Sequence, residues 1–271
     1  LYLQDDWRLS PRVTANIGLR WDYESDMLNN DYVTPPEIVA GWGPLYPSNY
    51  FTDGTKRDGY NGMIQPRLGL SWDVTGEGKT VVHGGWGIYA DRTLFNDMLD
   101  EKYRTQWNVS TIYFSKDGSP VDGNPALKWN PAYYDPAVLR QLVDQGIAGQ
   151  PEVYLFDNDN LDPPSSEQWS LGVRHDFGAF NASAAYTSVH GKNQLTWPCA
   201  AKKADTPLEC DWGIRQVPGF TRAILSRTKE AWFDSILGVI EKPFSSGWGG
   251  SLSYVYGDAE QTGNDFFSAN A

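Results

Sequence analysis

Apolar and polar residues alternate strictly in several segments of the chain. Between residues 16 and 23, every second position is aliphatic or aromatic: Ile17, Leu19, Trp21 and Tyr23. A period of two places successive side chains on opposite faces of a β-strand. The pattern recurs at 67–74, 167–177 and 248–257, and more weakly at 1–7, 80–90, 180–188 and 230–241. It predicts about eight two-faced strands and an all-β fold.

The predicted strands are joined alternately by short and long connections. The short ones lie at 8–12, 75–79, 177–179 and 242–246, and the long ones at about 25–62, 91–166 and 189–229. Structureless loops beyond about 12–15 residues are uncommon in compact soluble domains. Transmembrane β-barrels combine short periplasmic turns with long extracellular loops. The spacing therefore favours an antiparallel transmembrane β-barrel over a soluble β-sandwich or soluble up-and-down barrel.

In such a barrel the apolar side of each strand faces lipid and the other side faces the lumen. Aromatic residues near the strand ends, such as Trp21, Trp72 and Trp169, are typical of anchors at the membrane interfaces. The alternation predicts six lumen-facing polar residues: Arg20, Asp22, Arg67, Asp73, Gln168 and Arg174. These side chains would either bind a plug inside the barrel or line a transport path.

The composition argues against a nucleic-acid-binding protein and against a helical membrane protein. The chain has 22 basic and 34 acidic residues and a net charge of −12, which argues against binding to nucleic acid. Its aromatic content is 14% while its mean hydropathy is −0.50. No apolar run approaches the roughly 20 residues of a transmembrane helix, and the first residues do not resemble a signal peptide.

Two cysteines, Cys199 and Cys210, lie in the third long loop. A loop that matures in an oxidising compartment favours a disulfide between them. The alternatives are a metal-binding pair or two free thiols.

One acidic segment carries oxygen donors at alternating positions: Asp157, Asp159 and Asp162. Calcium prefers such carboxylate ligands, so these residues are a candidate structural Ca²⁺ loop. The segment lacks the glycine and distal glutamate of an EF-hand, and a solvated acidic loop is the alternative. We predict no other cofactor.

The second long loop contains a helix signature. Asp135 is a suitable N-cap, Pro136 occupies the first turn and Gly146 provides a stop. Aromatic residues in the first two long loops are candidates for a ligand platform for a sugar or a peptide, with ordinary loop packing as the alternative: Trp42, Tyr46, Trp107, Tyr113, Trp129, Tyr133 and Tyr134.

Catalytic motifs are absent from the sequence. No G-x-S-x-G elbow occurs, and His175 and Asp176 are adjacent, so in a strand their side chains point to opposite faces. We therefore predict that the protein is not an enzyme.

Several strand segments resemble those of TonB-dependent outer-membrane receptors, in particular the Oar-like group. The matching segments are LQDDWRL (3–9) continuing to NIGLRW (16–21), QPRLGL (65–70) and TVVHGGWGIY (80–89), of which the first and third are the more specific. Fainter similarity is carried by EQWSLGV (167–173) and VPGF (217–220).

The resemblance implies a receptor of the bacterial cell outer membrane that takes up a large or scarce ligand. Its barrel has about 22 strands, so residues 1–271 would form part of one outer-membrane β-barrel domain, without the plug domain. The implied partners are outer-membrane lipid, a plug domain, an inner-membrane energy-coupling complex and an unidentified extracellular ligand. A passive porin or adhesin-type barrel without energy coupling is the alternative.

Overall fold

The computed structural model describes most of the chain. The described residues are 1–93, 95–103, 110–121, 125–147, 152–198, 201–202, 210–211, 220, 222–262 and 265–267. No helix among them is both long enough and apolar enough to cross a membrane.

Eight long strands form the main sheet. They are β1 (Tyr2–Ser10), β2 (Val13–Glu24), β3 (Tyr60–Asp73), β4 (Thr80–Ala90), β5 (Ser165–Asp176), β6 (Asn181–Pro198), β7 (Arg227–Ser245) and β8 (Trp248–Gln261). Each strand pairs antiparallel with the next one along the chain. The predicted fold class, an antiparallel outer-membrane β-barrel domain built from about eight strands, is confirmed by this topology and by the family comparison reported below.

The strand register collects the apolar side chains on one side of the sheet. Trp86 of β4 lies opposite Leu68 of β3 and Trp169 of β5, and Ile236 of β7 lies opposite Tyr186 and Tyr256. We call this side the apolar face and the opposite side the polar face.

The exposure of three leucines shows whether the apolar face points towards the protein interior or away from it. Leu19, Leu70 and Leu171 are 48%, 49% and 57% exposed, so they point away from the packed interior, as a lipid-facing position requires. In water so extended an exposed apolar surface would promote association.

Short turns join the strands at one end of the sheet. The β3–β4 turn is held by Asp73, whose carboxylate accepts hydrogen bonds from the backbone N–H of Gly76 (2.9 Å) and Gly78 (2.8 Å). The β7–β8 turn has positive φ at Ser246 (52°) and Gly247 (87°), as a tight type I′ hairpin requires. Because the strands alternate in direction, every long connection lies at the opposite end.

The long connections contain helices and short strands. The helices are α1 (Pro36–Trp42), α2 (Phe95–Tyr103) and α3 (Pro136–Asp144), with 3₁₀ helices at Ser48–Tyr50 and Pro131–Tyr134. The short strands are Tyr113–Ser115, Ala126–Lys128, Glu152–Leu155, Ala201–Lys202, Cys210–Asp211, Arg222–Leu225 and Asp265–Phe267. Strand β6 continues to Pro198, although we expected a loop from residue 189, because it stays paired with β7 as far as the Thr196–Arg227 pair.

The predicted helix in the second long loop is confirmed as α3. The Asp135 side chain accepts a hydrogen bond from the Ala137 N–H at 2.8 Å, and Gly146 adopts a φ of 76° just beyond the helix. Helix α1 was not predicted, and its N-cap, Pro35, makes no side-chain capping bond. Helix α2 was not predicted either.

Two hydrophobic cores lie at the end of the sheet that carries the long connections, and Met63 of β3 and Trp197 of β6 contribute to the first. The first contains Met27, Leu28, Met63, Met98, Phe156, Leu161, Trp197 and Ile224. The second contains Ile38, Trp42, Phe51, Val153, Leu155 and Ala223. A parallel pairing of Glu152–Leu155 with Arg222–Leu225 contributes to both cores. We call residues 25–59, 95–103, 152–164 and 222–226 the loop cluster.

Candidate functional site

The polar face carries all six residues that we predicted to face the lumen. Arg20 is paired with Gln65, and Gly87 is paired with both Arg67 and Gln168. Val81 is paired in the same way with both Asp73 and Arg174. Because paired residues in neighbouring strands point to the same side of a sheet, these side chains share one face. Whether that face encloses a lumen stays a prediction.

A polar network lies on this face where β2 and β3 approach the loop cluster. Asp22 Oδ2 accepts hydrogen bonds from Arg20 Nε and Gln65 Nε2, each at 2.7 Å. Gln65 is only 1% exposed, and Met63, paired with Asp22, belongs to the first hydrophobic core. The loop cluster therefore covers the polar face at this end of the sheet.

A glycine on the polar face makes room for a neighbouring side chain. A Cβ atom on Gly172 would lie 2.7 Å from His83 Nε2, on the adjacent strand. Arg67, on the same face, has its guanidinium 4.6 Å from the centre of the Tyr89 ring. This part of the polar face therefore carries the hydrogen-bonding groups of His83 and Arg67.

A buried ion pair joins two long connections within the loop cluster. Arg57 Nη1 and Nη2 donate to Glu101 Oε2 and Oε1, both at 2.7 Å. The two side chains are 2% and 3% exposed. A parallel two-bond contact between guanidinium and carboxylate fixes orientation as well as distance.

Further hydrogen bonds satisfy the remaining donors of this ion pair. Arg57 Nε donates to Asn158 Oδ1 at 2.6 Å, and Arg57 Nη1 also donates to the Leu28 carbonyl at 3.0 Å. The guanidinium lies 5.7 Å from the Phe156 ring centre, and Asn29 Nδ2 donates to Glu101 Oε2 at 3.3 Å. Because its polar atoms are paired, the buried charge is tolerated.

A second titratable group is buried in α2. Burial raises the pKa of the Asp97 carboxyl, and the nearby charge of Asp100 raises it further. A hydrogen bond with the Trp197 side chain opposes this rise. The loop cluster thus contains a carboxyl group with a pKa above that of an exposed aspartate.

No three acidic, histidine or cysteine side chains in the described residues are grouped to hold a metal ion. Calcium binding by Asp157, Asp159 and Asp162 stays a prediction, and the structure does not gather the three carboxylates for it. Instead, Asp157 Oδ1 accepts from Asn49 Nδ2 at 2.6 Å and Asp157 Oδ2 accepts from Asn160 Nδ2 at 2.8 Å. The carboxylate is used to fix a turn of the loop cluster.

Cys199 and the side chain of Cys210, the predicted disulfide pair, lie outside the described residues. The backbone of Cys210 pairs with Lys202 in a short antiparallel ladder. The disulfide stays a prediction.

The predicted ligand-binding aromatics separate into two groups. Trp42 is 1% exposed in the second core and stacks on Tyr46 at 5.7 Å, so contact between Trp42 and a ligand would require the loops to open. Trp129, Tyr133 and Tyr134 instead contact one another, and Trp129 and Tyr134 are exposed. Tyr113 is partly buried in the short strand Tyr113–Ser115. Trp107 lies outside the described residues.

Our prediction did not include Arg57, Glu101, Asn158 or Gln65. Arg57 and Glu101 are separated by 44 positions, and neither belongs to a recognisable motif. Only the three-dimensional packing of two loops brings them together.

Comparison with known proteins gives no match among curated protein sequences. Several solved structures are similar at low identity. The siderophore receptor PirA from Pseudomonas aeruginosa matches with a TM-score of 0.45 and 14% identity, over 97% of this chain and 31% of its own. The alcaligin outer-membrane receptor FauA from Bordetella pertussis matches at 0.42 and 11%, over 97% and 30%. The outer-membrane transporter YddB from Escherichia coli matches at 0.48 and 14%, over 96% and 24%.

The chain therefore spans between a quarter and a third of the length of these solved proteins. A family model described as an outer membrane beta barrel domain matches residues 1–271. Together with the two-faced antiparallel sheet, this match shows that the chain belongs to the outer-membrane β-barrel family of the bacterial outer membrane.

Proposed function

We propose that the chain is part of the barrel of a TonB-dependent outer-membrane receptor that takes up a large or scarce ligand. The observation that carries the proposal is the loop cluster, with two hydrophobic cores and a buried Arg57–Glu101 ion pair beside the polar face. Packed extracellular loops hold a binding surface in a fixed position, as a receptor for a specific ligand requires. Energy coupling is supported by the resemblance of segments 3–21 and 80–89 to this family of receptors.

In this proposal each surface has a separate task. The apolar face contacts outer-membrane lipid, and the loop cluster receives the extracellular ligand. The polar face, with Arg20, Asp22 and Arg67, offers donors and acceptors to a plug domain. An inner-membrane energy-coupling complex then moves the plug and opens the path.

Two measurements on the full-length protein test the proposal. In a planar lipid bilayer, a plugged receptor is expected to show no steady ion conductance, whereas a passive porin would conduct continuously. An immobilised periplasmic domain of TonB is expected to retain the receptor from detergent solution. Steady conductance together with no retention would indicate the passive porin or adhesin-type barrel instead.

The coding sequence upstream of residue 1 provides an independent check. A receptor of this kind requires a plug domain and a short energy-coupling segment ahead of the barrel. Their absence from the full-length gene would contradict energy coupling.

A further inference from the structure

Four aromatic rings form a continuous group in the connection between β4 and β5. We call Phe114, Trp129, Tyr133 and Tyr134 the aromatic platform. Phe114 lies 5.5 Å from Trp129 and 4.7 Å from Tyr133 between ring centres. Trp129 lies 5.9 Å from Tyr133 and 5.2 Å from Tyr134.

Local backbone bonds hold the rings in place. Strands Tyr113–Ser115 and Ala126–Lys128 pair in parallel, and the Trp129 N–H donates to the Ser115 carbonyl at 2.8 Å. Asn130 Oδ1 accepts from the Ala132 N–H at 2.9 Å and caps the 3₁₀ helix that carries both tyrosines. None of the four rings belongs to either hydrophobic core of the loop cluster. They are therefore positioned by their own small scaffold.

Two of the four rings are exposed despite this ordered support, and Phe114 and Tyr133 are partly buried beneath them in the ring contacts. Tyr134 is 80% exposed and Trp129 is 42% exposed. Large aromatic side chains contribute most to stability when they are buried. An ordered scaffold that displays them to solvent indicates a recognition surface.

The spacing of the rings limits the ligand to one that lies on top of them. Ring centres separated by 4.7–5.9 Å are in direct contact. A cage for a quaternary ammonium group needs a gap between its rings, and no such gap exists among these four. A flat ligand with an apolar surface fits the outer ring faces.

The charged residues around the platform restrict the class of ligand further. Residues 110–147 carry three basic side chains and four acidic ones: Lys116, Lys128, Arg140, Asp117, Asp122, Asp135 and Asp144. Two of the acids serve the fold, because Asp117 accepts from Ser119 Oγ at 2.6 Å and Asp135 caps α3. The segment that carries the platform therefore has a net charge of only −1, too small to select an ionic ligand.

We propose that the aromatic platform binds a neutral glycan, whose apolar C–H faces stack on Trp129 and Tyr134. A sugar ring combines an apolar face with hydroxyl groups at its edge, which suits tryptophan and tyrosine side chains with apolar faces and polar edges. The site does not depend on energy coupling and applies equally to a receptor and to a passive barrel.

The test is a titration of the full-length protein followed by saturation-transfer difference NMR. The probes are three neutral hexasaccharides, namely maltohexaose, cellohexaose and mannohexaose, and lauryldimethylamine oxide replaces sugar-based detergents. At least one probe is expected to bind with a millimolar or lower Kd. Tyr134→Ala is expected to weaken that binding about three- to tenfold, as the loss of one stacking ring predicts.

Phe244→Ala is the matched control, because Phe244 is 81% exposed but lies next to the β7–β8 turn at the other end of the sheet. It should leave the Kd unchanged. Trp129→Phe keeps a ring in the scaffold and is expected to weaken binding less than Tyr134→Ala.

Four outcomes would overturn the proposal. The first is that none of the three probes binds with a millimolar Kd, and the second is that Tyr134→Ala and Phe244→Ala have equal effects. The third is that hexagalacturonate binds more tightly than the neutral sugars. The fourth is that a proline-rich peptide binds the platform and the neutral sugars do not.

Discussion

Arg57 and Glu101 come from different long connections, yet both are almost fully buried. Removing one partner of a buried pair leaves an uncompensated charge, whereas replacing both partners by apolar residues is often neutral. The pair therefore links the two connections by a buried contact. A single substitution in the pair should therefore change the stability of the loop cluster.

Arg57→Met is expected to destabilise the loop cluster by about 3–5 kcal/mol, because Glu101 would stay buried without its partner. Amide hydrogen exchange of residues 25–59 and 95–103 should accelerate. The double variant Arg57→Met with Glu101→Leu should recover much of the protection. Lys79→Met is the control, since the Lys79–Glu77 pair is exposed and such pairs contribute about 0–1 kcal/mol. No recovery in the double variant would contradict a role for the unpaired charge.

Asp97 should make the stability of the loop cluster depend on pH. Because the folded-state pKa is raised, its stabilising contribution is complete below the unfolded value of about 3.9 and is lost as the pH rises through the folded pKa. Asp97→Asn should therefore protect α2 at neutral pH relative to the native chain. Hydrogen exchange of α2, corrected for intrinsic rates, should show this difference shrinking towards about pH 4. A constant difference at every pH would contradict the argument.

At the scale of single elements, each strand of the sheet carries two chemically different faces. Leu70 belongs to the apolar face, and its neighbour Ser71 belongs to the polar face. A one-residue shift in register would exchange these faces completely. The strands therefore specify both their pairing and their orientation relative to lipid.

Leu70→Arg is expected to destabilise the barrel by about 2–4 kcal/mol if position 70 lies near the middle of the bilayer. Ser71→Arg should have a much smaller effect, because residue 71 lies on the polar face and its side chain points away from lipid. Folding of the full-length protein into phospholipid vesicles, titrated with guanidinium, measures both values. Similar losses at the two positions would show that the facing is wrong.

At the scale of the whole molecule, the long strands and the loop cluster are stabilised differently. The sheet is stabilised by interstrand hydrogen bonds and by lipid, while the loop cluster is stabilised by its two hydrophobic cores. Regions with different sources of stability often unfold as separate units. We expect the loop cluster to open before the sheet does.

Phe156→Ala tests this separation, because Phe156 is fully buried in the first core and contacts Trp197. Such a truncation typically costs about 3–5 kcal/mol. Proteolysis of residues 152–164 should begin at a lower denaturant concentration than in the native chain. The difference in detergent-gel mobility between the unheated and the heated protein, which reports whether the barrel is folded, should be unchanged. Simultaneous loss of both properties would indicate one cooperative unit.

The amino-acid sequence by itself determined the alternating strands, their short turns and helix α3. These features depend on neighbouring residues, since side-chain alternation and capping act over two to four positions. The Asp135 cap and the Ser246–Gly247 turn are examples. The same alternation places Leu19, Leu70 and Leu171 on one face of the sheet, and the tertiary structure decided that this face is exposed.

Only the tertiary structure decided how the long connections fold and which residues they bury. It placed Trp42 in a core, used Asp157 to fix a turn and joined Arg57 to Glu101. The physical reason is that these contacts span tens of residues, and many arrangements of a long loop satisfy the same local preferences. Burial of apolar surface between loops selects one of them, and a local sequence pattern does not record that selection.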